Sequence, residues 1–207
     1  MQEHVSVTEM FWSIQGEGLL TGLPMRFLRL AGCNADEGFR CWSWCDTKYA
    51  RGGGEEMKPE TAYIRLAALP YARWVCITGG EPLLQARALR PLVEMLLESG
   101  HEIQVQTNGT LPPLAYPIHY SVSPKRLECN ARIVQQADEL KFVIAGEKKE
   151  EELFILEFLA RYRVMDKPII LQPVDNRPEA VETCLHLVKE HVEWRVMLQQ
   201  HKVMGIR

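Results

Sequence analysis

Trp74-Val75-Cys76-Ile77-Thr78-Gly79-Gly80-Glu81-Pro82 decides the fold. Its first five residues form a short apolar run with branched and aromatic side chains, which reads as a buried strand. Two glycines and a proline then end it. The same pattern recurs on both sides, at 25–31, 103–107, 118–122, 140–144 and 168–171. Helical patterns lie between several of these runs. The segment 59–69 opens with Pro59 and Glu60, both favoured in a first turn. The segment 91–99 puts Leu92, Val93, Leu96 and Leu97 on one face and meets a stop at Gly100. The segment 150–163 is acidic at its start and basic at its end, as the helix dipole prefers. The segment 178–191 opens with Pro178.

Strands alternating with helices imply an α/β protein with a parallel sheet and crossovers. Six strand units are visible, whereas a closed eight-fold barrel takes about 250 residues. The 207 residues therefore predict one domain, 1–207, built as an incomplete, open parallel β/α barrel of about six strands. A doubly wound sheet is the alternative. The stretch Arg51-Gly52-Gly53-Gly54-Glu55-Glu56 reads as a loop.

Composition bounds the function. There are 24 basic and 27 acidic residues, a net charge of −3, and 46% hydrophobic residues. These values exclude a disordered or collagen-like chain. They also argue against a nucleic-acid protein, which wants a basic excess. No apolar run approaches the roughly 18–20 residues needed to cross a bilayer, and the first residues lack the basic and apolar regions of a secretion signal. A cytoplasmic protein with no membrane partner is expected.

In a parallel barrel, chemistry gathers at the C-terminal ends of the strands. Here Cys33, Thr78-Gly79-Gly80-Glu81-Pro82, Thr107-Asn108-Gly109, Ser123-Pro124-Lys125 and Gln172-Pro173 all follow strand patterns. Three of the six cysteines, Cys33, Cys41 and Cys45, fall within thirteen residues. Thiolates so placed can hold one face of an iron–sulfur cluster or a structural zinc, with Asp46 or a distant histidine as fourth ligand. On these residues alone the two stand even. Unligated burial is the third reading, and it is the one for Cys76, inside a strand, and Cys184, on a helix. The role of Cys129 is open. Arg29 interrupts an apolar strand, and a buried guanidinium needs a polar or anionic partner. That partner is a ligand carboxylate or an internal Asp or Glu. His4, His101, His119, His186 and His191 read as surface or core residues.

These features resemble a family. Cys33, Cys41 and Cys45 after one strand, with Thr78–Pro82 after the next, are similar to the radical S-adenosylmethionine enzymes. The closer resemblance is to 7-carboxy-7-deazaguanine synthases, through Ser13-Ile14-Gln15-Gly16-Glu17-Gly18, Phe27-Leu28-Arg29-Leu30-Ala31-Gly32-Cys33, Trp44-Cys45-Asp46-Thr47, Gln106-Thr107-Asn108-Gly109 and Gln200-His201-Lys202. Two departures stand out. Seven and then three residues separate the cysteines, wider than the usual gaps, and Gln106 stands where the family typically has Glu.

The resemblance implies a lyase. It would turn 6-carboxy-5,6,7,8-tetrahydropterin into 7-carboxy-7-deazaguanine with loss of ammonia, on the route to queuosine and other 7-deazapurines. It implies a 4Fe-4S cluster on Cys33, Cys41 and Cys45, with one iron open to S-adenosylmethionine, and Mg²⁺ on Thr47, which by residue type alone would be a turn residue or helix cap. It places the cofactor against Trp44, Asp46, Gly79, Gly80, Glu81, Ser123, Pro124, Lys125, Gln172 and Asp175. Glu81 would meet the ammonium group, and the two glycines would admit the methionine portion. It places the substrate against Ile14, Gln15, Gly16, Arg29, Thr78, Asn108, His201 and Arg207. A homodimer and an external reductant such as flavodoxin come with it. The alternatives are an activase that puts a glycyl radical on a partner protein and a zinc-stabilised binding module without turnover.

Overall fold

The first strand, β1 (Val5–Ile14), alternates apolar residues with Ser6, Thr8, Glu9 and Ser13, the pattern of a half-buried strand. It pairs antiparallel with β2 (Pro24–Leu30), Glu9 facing Arg29. The computed structural model describes residues 3–206. After β2 come β3 (Glu55–Met57), α1 (Pro59–Ala67), β4 (Trp74–Gly79), α2 (Ala86–Glu98), β5 (Glu102–Thr107) and β6 (His119–Val122). They continue as α3 (Ala131–Gln136), β7 (Glu139–Ile144), α4 (Lys148–Tyr162), β8 (Ile169–Pro173), α5 (Pro178–Glu190), β9 (Arg195–Val196) and α6 (Gln200–Met204).

Among the described residues the nine strands form one sheet, in the order β3-β1-β2-β4-β5-β6-β7-β8-β9. From β2 to β9 every pairing is parallel. The two outer strands, β3 and β9, do not pair with each other, so the barrel is open. The six expected strands are all present as β2 and β4–β8. The three additions lacked the signal used to find the others. In β1 the polar residues alternate with apolar ones, β3 falls where the sequence reads as a glycine loop, and β9 has only two residues. α2 begins at Ala86, not at Pro91, which sits inside the helix on its exposed side. There proline forfeits one backbone hydrogen bond, while Ala88, Leu89, Leu92, Val93 and Leu96 keep an unbroken buried face.

The strand alternation sorts two cores. Outward residues such as Leu28, Leu30, Val75, Ile77, Ile103 and Val105 are buried against the helices. Each such side chain contributes about 1.5–3 kcal/mol. The inward residues Phe11, Met25, Phe27 and Cys76 form a separate small cluster, with the Phe11 and Phe27 rings stacked at 4.9 Å. Arg29 lies two positions after Phe27 and so shares its inward face. This apolar plug is the floor on which the functional site is built. Cys184 is fully buried in the outer core, and Cys76 in the inner one.

Candidate active site

Above the plug, at the C-terminal ends of the strands, lies a cavity of about 420 Å³. Ile14, Gln15 and Gly16 reach it from the end of β1, Arg29 from β2, and Thr78, Gly79 and Gly80 from β4. Asn108 follows β5, Ser123 and Lys125 follow β6, and Gln172 stands on β8. The loop after β2 supplies Cys33, Cys41, Trp44, Cys45, Asp46 and Thr47, and α6 supplies His201. Residues far apart in sequence thus share one wall.

The three cysteines are free thiols, each half-buried. Cys45 N–H donates to the Cys41 carbonyl at 2.9 Å. The unusual three-residue gap therefore makes a single helical turn, with residues four apart on one side. Gly80 lies close beneath the loop. A Cβ there would stand 2.1 Å from the Gly32 carbonyl oxygen and 2.9 Å from Cys33 Cβ. The glycine is required by how closely β4 approaches the cysteine loop.

Three expected residues are not on the wall. The Glu81 carboxylate is fully buried and accepts hydrogen bonds from Leu83 N, Thr107 Oγ1 and Asn108 N. It ties the ends of β4 and β5 together and lies off the cavity wall. Pro124 is buried between Ser123 and Lys125. Asp175 is exposed, in a left-handed conformation with φ 51°, and accepts from Lys202 Nζ at 2.5 Å. Arg207 lies outside the described residues. Cys129 also lies off the wall, with Sγ 3.5 Å from the Asn108 carbonyl oxygen.

Arg29 already has an internal partner: its Nε donates to Glu9 Oε1 at 2.8 Å. The guanidinium also lies 5.9 and 5.8 Å from the Phe11 and Tyr49 ring centres. Tyr49 donates its hydroxyl to the same Glu9 oxygen at 3.0 Å. Gln106 accepts a hydrogen bond from Thr78 Oγ1 at 3.1 Å, both residues on the cavity wall. Thr47 Oγ1 donates to Asp46 Oδ1 at 2.8 Å. It occupies the position before a short turn but makes no capping bond.

Two polar residues of β7, Lys141 and Glu139, join the residues named from the sequence. Lys141 on β7 forms a buried ion pair with Glu17. Glu139 on the same strand accepts from Leu19 N at 2.5 Å, while Gln15 donates through Nε2 to Gln104 at 2.5 Å. Lys141 carried the same signal as Arg29, a cation breaking an apolar strand. The other half of the pair lies in the quoted 13–18 stretch. From α6, Lys202 bridges Asp46 at 2.8 Å and Asp175 at 2.5 Å. A Cβ on Gly16 would stand 2.3 Å from His201 Nδ1, so the glycine lets α6 pack down on the end of β1.

Burial alone would raise the Glu17 carboxyl. The Lys141 ammonium and the hydrogen bonds from Gln199 and Lys141 outweigh it and hold the group at about 2. Such a group stabilises the fold above its ordinary value of 4.5, and that contribution is lost as pH falls through about 2. Wild type should therefore lose about 3 kcal/mol more stability than Glu17→Gln between those limits. Parallel thermal unfolding curves for the two proteins across this range would show otherwise. Burial also pushes the Lys125 ammonium down to about 8, against the pull of Cys41. The Cys33 and Cys41 thiols are raised, mainly by burial.

These residues fit an iron–sulfur cluster with an amino-acid cofactor. Three soft sulfur donors border one cavity, and Lys125, half-buried beside them, offsets anionic charge. The Gln172 side-chain oxygen, on a residue 3% exposed, has no hydrogen-bond donor among the described residues. A ligand that brings N–H or O–H groups would supply one. Among the described residues, no three His, Cys, Asp or Glu groups converge as a single zinc ion requires. A cubane instead takes each thiolate on a different iron.

No protein-family model matches the chain. The 7-carboxy-7-deazaguanine synthase of Aquifex aeolicus is 38% identical, over 98% of this chain and 94% of that protein. The 7-carboxy-7-deazaguanine synthase of Methanospirillum hungatei is 31% identical, over 98% of this chain and 86% of that protein. The crystal structure of QueE from Escherichia coli superposes with a TM-score of 0.78 at 27% identity, covering 94% of this chain and 93% of that one.

Proposed function

This chain belongs to the 7-carboxy-7-deazaguanine synthase family, and on that premise we infer that it is a radical S-adenosylmethionine lyase. It converts 6-carboxy-5,6,7,8-tetrahydropterin to 7-carboxy-7-deazaguanine, with loss of ammonia, in queuosine biosynthesis. What supports the assignment to this site is one observation: the three thiols share a cavity with Arg29, Thr78 and Asn108. When bound, the cluster and S-adenosylmethionine supply the one-electron chemistry that opens hydrogen abstraction at carbon 6 of the pterin.

The chain's own residues bind, orient and shield. Cys33, Cys41 and Cys45 hold the cluster, and Lys125 offsets its charge. Gly79, Gly80, Ser123 and Gln172 border the space for S-adenosylmethionine, with Trp44 and Asp46 beside it. Thr47 would offer its hydroxyl oxygen to Mg²⁺, which would supply positive charge at the cavity wall. Glu9 fixes Nε of Arg29 and thereby orients the guanidinium to receive the pterin carboxylate. Ile14, Gln15, Gly16 and His201 wall the same space, and Gln15 is held by Gln104. α6, clamped by Lys202, restricts water. A homodimer and an external one-electron donor such as flavodoxin complete the reading. No helix among the described residues is long and apolar enough to cross a membrane.

Arg29→Ala tests the substrate end. It should lower kcat/KM for the pterin about 10- to 100-fold, the loss of one charge-assisted contact. Cleavage of S-adenosylmethionine without pterin should stay within about twofold of wild type. Equal loss of both activities would remove Arg29 from the substrate site.

A further inference from the structure

Tyr49 stands in the single turn Lys48–Arg51, just after the cysteine loop. The backbone of this turn is fixed. Ala50 N–H donates to the Thr47 carbonyl at 2.9 Å, and the Ala50 carbonyl accepts from Gly32 N at 2.8 Å, which ties the turn to the end of β2. Ala50 is fully buried, whereas Tyr49 is 57% exposed and borders the cavity. Among the described residues the exposed Trp, Tyr and Phe side chains are Trp12, Trp42, Tyr49 and Tyr71, and of these Tyr49 alone is on the cavity wall. The fold thus leaves one large aromatic face uncovered at the mouth of the site. A ring so exposed gains little from packing within the chain itself.

Two contacts set where the ring lies. Its hydroxyl donates to Glu9 Oε1 at 3.0 Å, the oxygen that also accepts from Arg29 Nε at 2.8 Å. The Arg29 guanidinium lies over the ring at 5.8 Å, within the range of a cation–π contact. Glu9 takes only Nε of that guanidinium. Nη1 and Nη2 have no hydrogen-bond partner among the described residues, and the Arg29 side chain is 19% exposed on the cavity. These two nitrogens form a donor fork that matches a carboxylate. What such a contact is worth depends on water. Opposite charges open to solvent gain little and are screened by salt, whereas a covered pair keeps its strength. Phe11, 8% exposed, flanks the guanidinium from the apolar floor. Tyr49 flanks it from the mouth.

We propose that Tyr49 is a specificity-determining residue for a carboxylated ligand: its ring closes over the contact between Arg29 and the ligand carboxylate and keeps water from it. Glu9 gathers the guanidinium and the tyrosine hydroxyl on one oxygen, so the ring stands ready beside the fork. The proposal rests on the pterin reading given above and deepens it, making the acid group of the ligand the feature that the mouth selects.

The test varies the acid group and the ring together. Binding of 6-carboxypterin and of neutral 6-hydroxymethylpterin is measured by fluorescence titration. The proteins are the reconstituted, S-adenosylmethionine-loaded wild type, Tyr49→Phe and Tyr49→Ala, and an exposed position tolerates both changes. Wild type should bind the acid about 10- to 100-fold tighter than the alcohol. Tyr49→Phe keeps the ring and should hold that ratio within about threefold. Tyr49→Ala bares the contact, and its ratio should fall about tenfold. A ratio in Tyr49→Ala equal to that of wild type would overturn the proposal, whether or not both ligands bind more weakly. An equal fall in Tyr49→Phe would also overturn it, by assigning the effect to the hydroxyl. So would a wild type that shows no preference or binds neither compound. In each of these cases wild-type turnover of the tetrahydropterin leaves the pterin reading standing. Absence of both turnover and pterin binding removes that reading as well.

Discussion

Replacing Cys45 with alanine is expected to leave no measurable turnover and no measurable cleavage of S-adenosylmethionine. Cys45 is one of three thiols bordering the cavity, and the turn that carries it is closed by its own N–H on the Cys41 carbonyl. Alanine keeps that backbone bond, so the loop should fold while one attachment for iron is lost. Iron and sulfide content with Mössbauer spectra after anaerobic reconstitution are the measurements. They should show the wild-type cluster absent or reduced to fewer irons. Cys184→Ala is the control: its thiol is fully buried in the outer core, away from the cavity. It should keep the cluster and lose only stability, through a small packing defect. A Cys45→Ala protein with a normal spectrum and normal activity would show that another group completes the ligand set.

Lys141→Met should cause the largest loss of stability among single changes in the site. Lys141 and Glu17 pair inside the barrel with side chains 6% and 15% exposed. Removing one partner leaves a buried charge uncompensated, at a cost of about 3–5 kcal/mol. For a chain of this size, that lowers the thermal midpoint by about 6–20 °C. Glu17→Gln combined with Lys141→Met should recover most of the loss, because no charge is then stranded. A single variant that melts within about 2 °C of wild type would mean that water reaches the pair.

How much of this was legible in the sequence follows from what each residue had to advertise. Strands buried on both faces show up as apolar runs, so β2 and β4–β8 could be read directly. β1 could not, because one of its faces is only half-covered and its apolar residues alternate with Ser, Thr and Glu. The site residues that could be read stand after strands or break an apolar pattern. Arg29 does so, and Lys141 does so equally, but its partner lies 124 positions away, and only the fold joins them. Glu81 is the opposite case. Its motif points at a ligand, yet its carboxylate is enclosed by Leu83, Thr107 and Asn108. Gln199 carries no pattern at all. Its amide meets Glu17 across 182 positions, a contact that only the fold creates.

The open seam of the sheet has a consequence for behaviour in concentrated solution. A barrel that does not close keeps two rows of backbone donors and acceptors onto which another chain could add strands. Here one row belongs to β3, three residues long, with Glu55 and Glu56 exposed and Glu55 bound to Arg65. The other belongs to β9, two residues long and led by Arg195. Short, charged borders make poor templates for fibril-like growth, which lets the sheet stay unclosed and the cavity keep its mouth without polymerising along its rims.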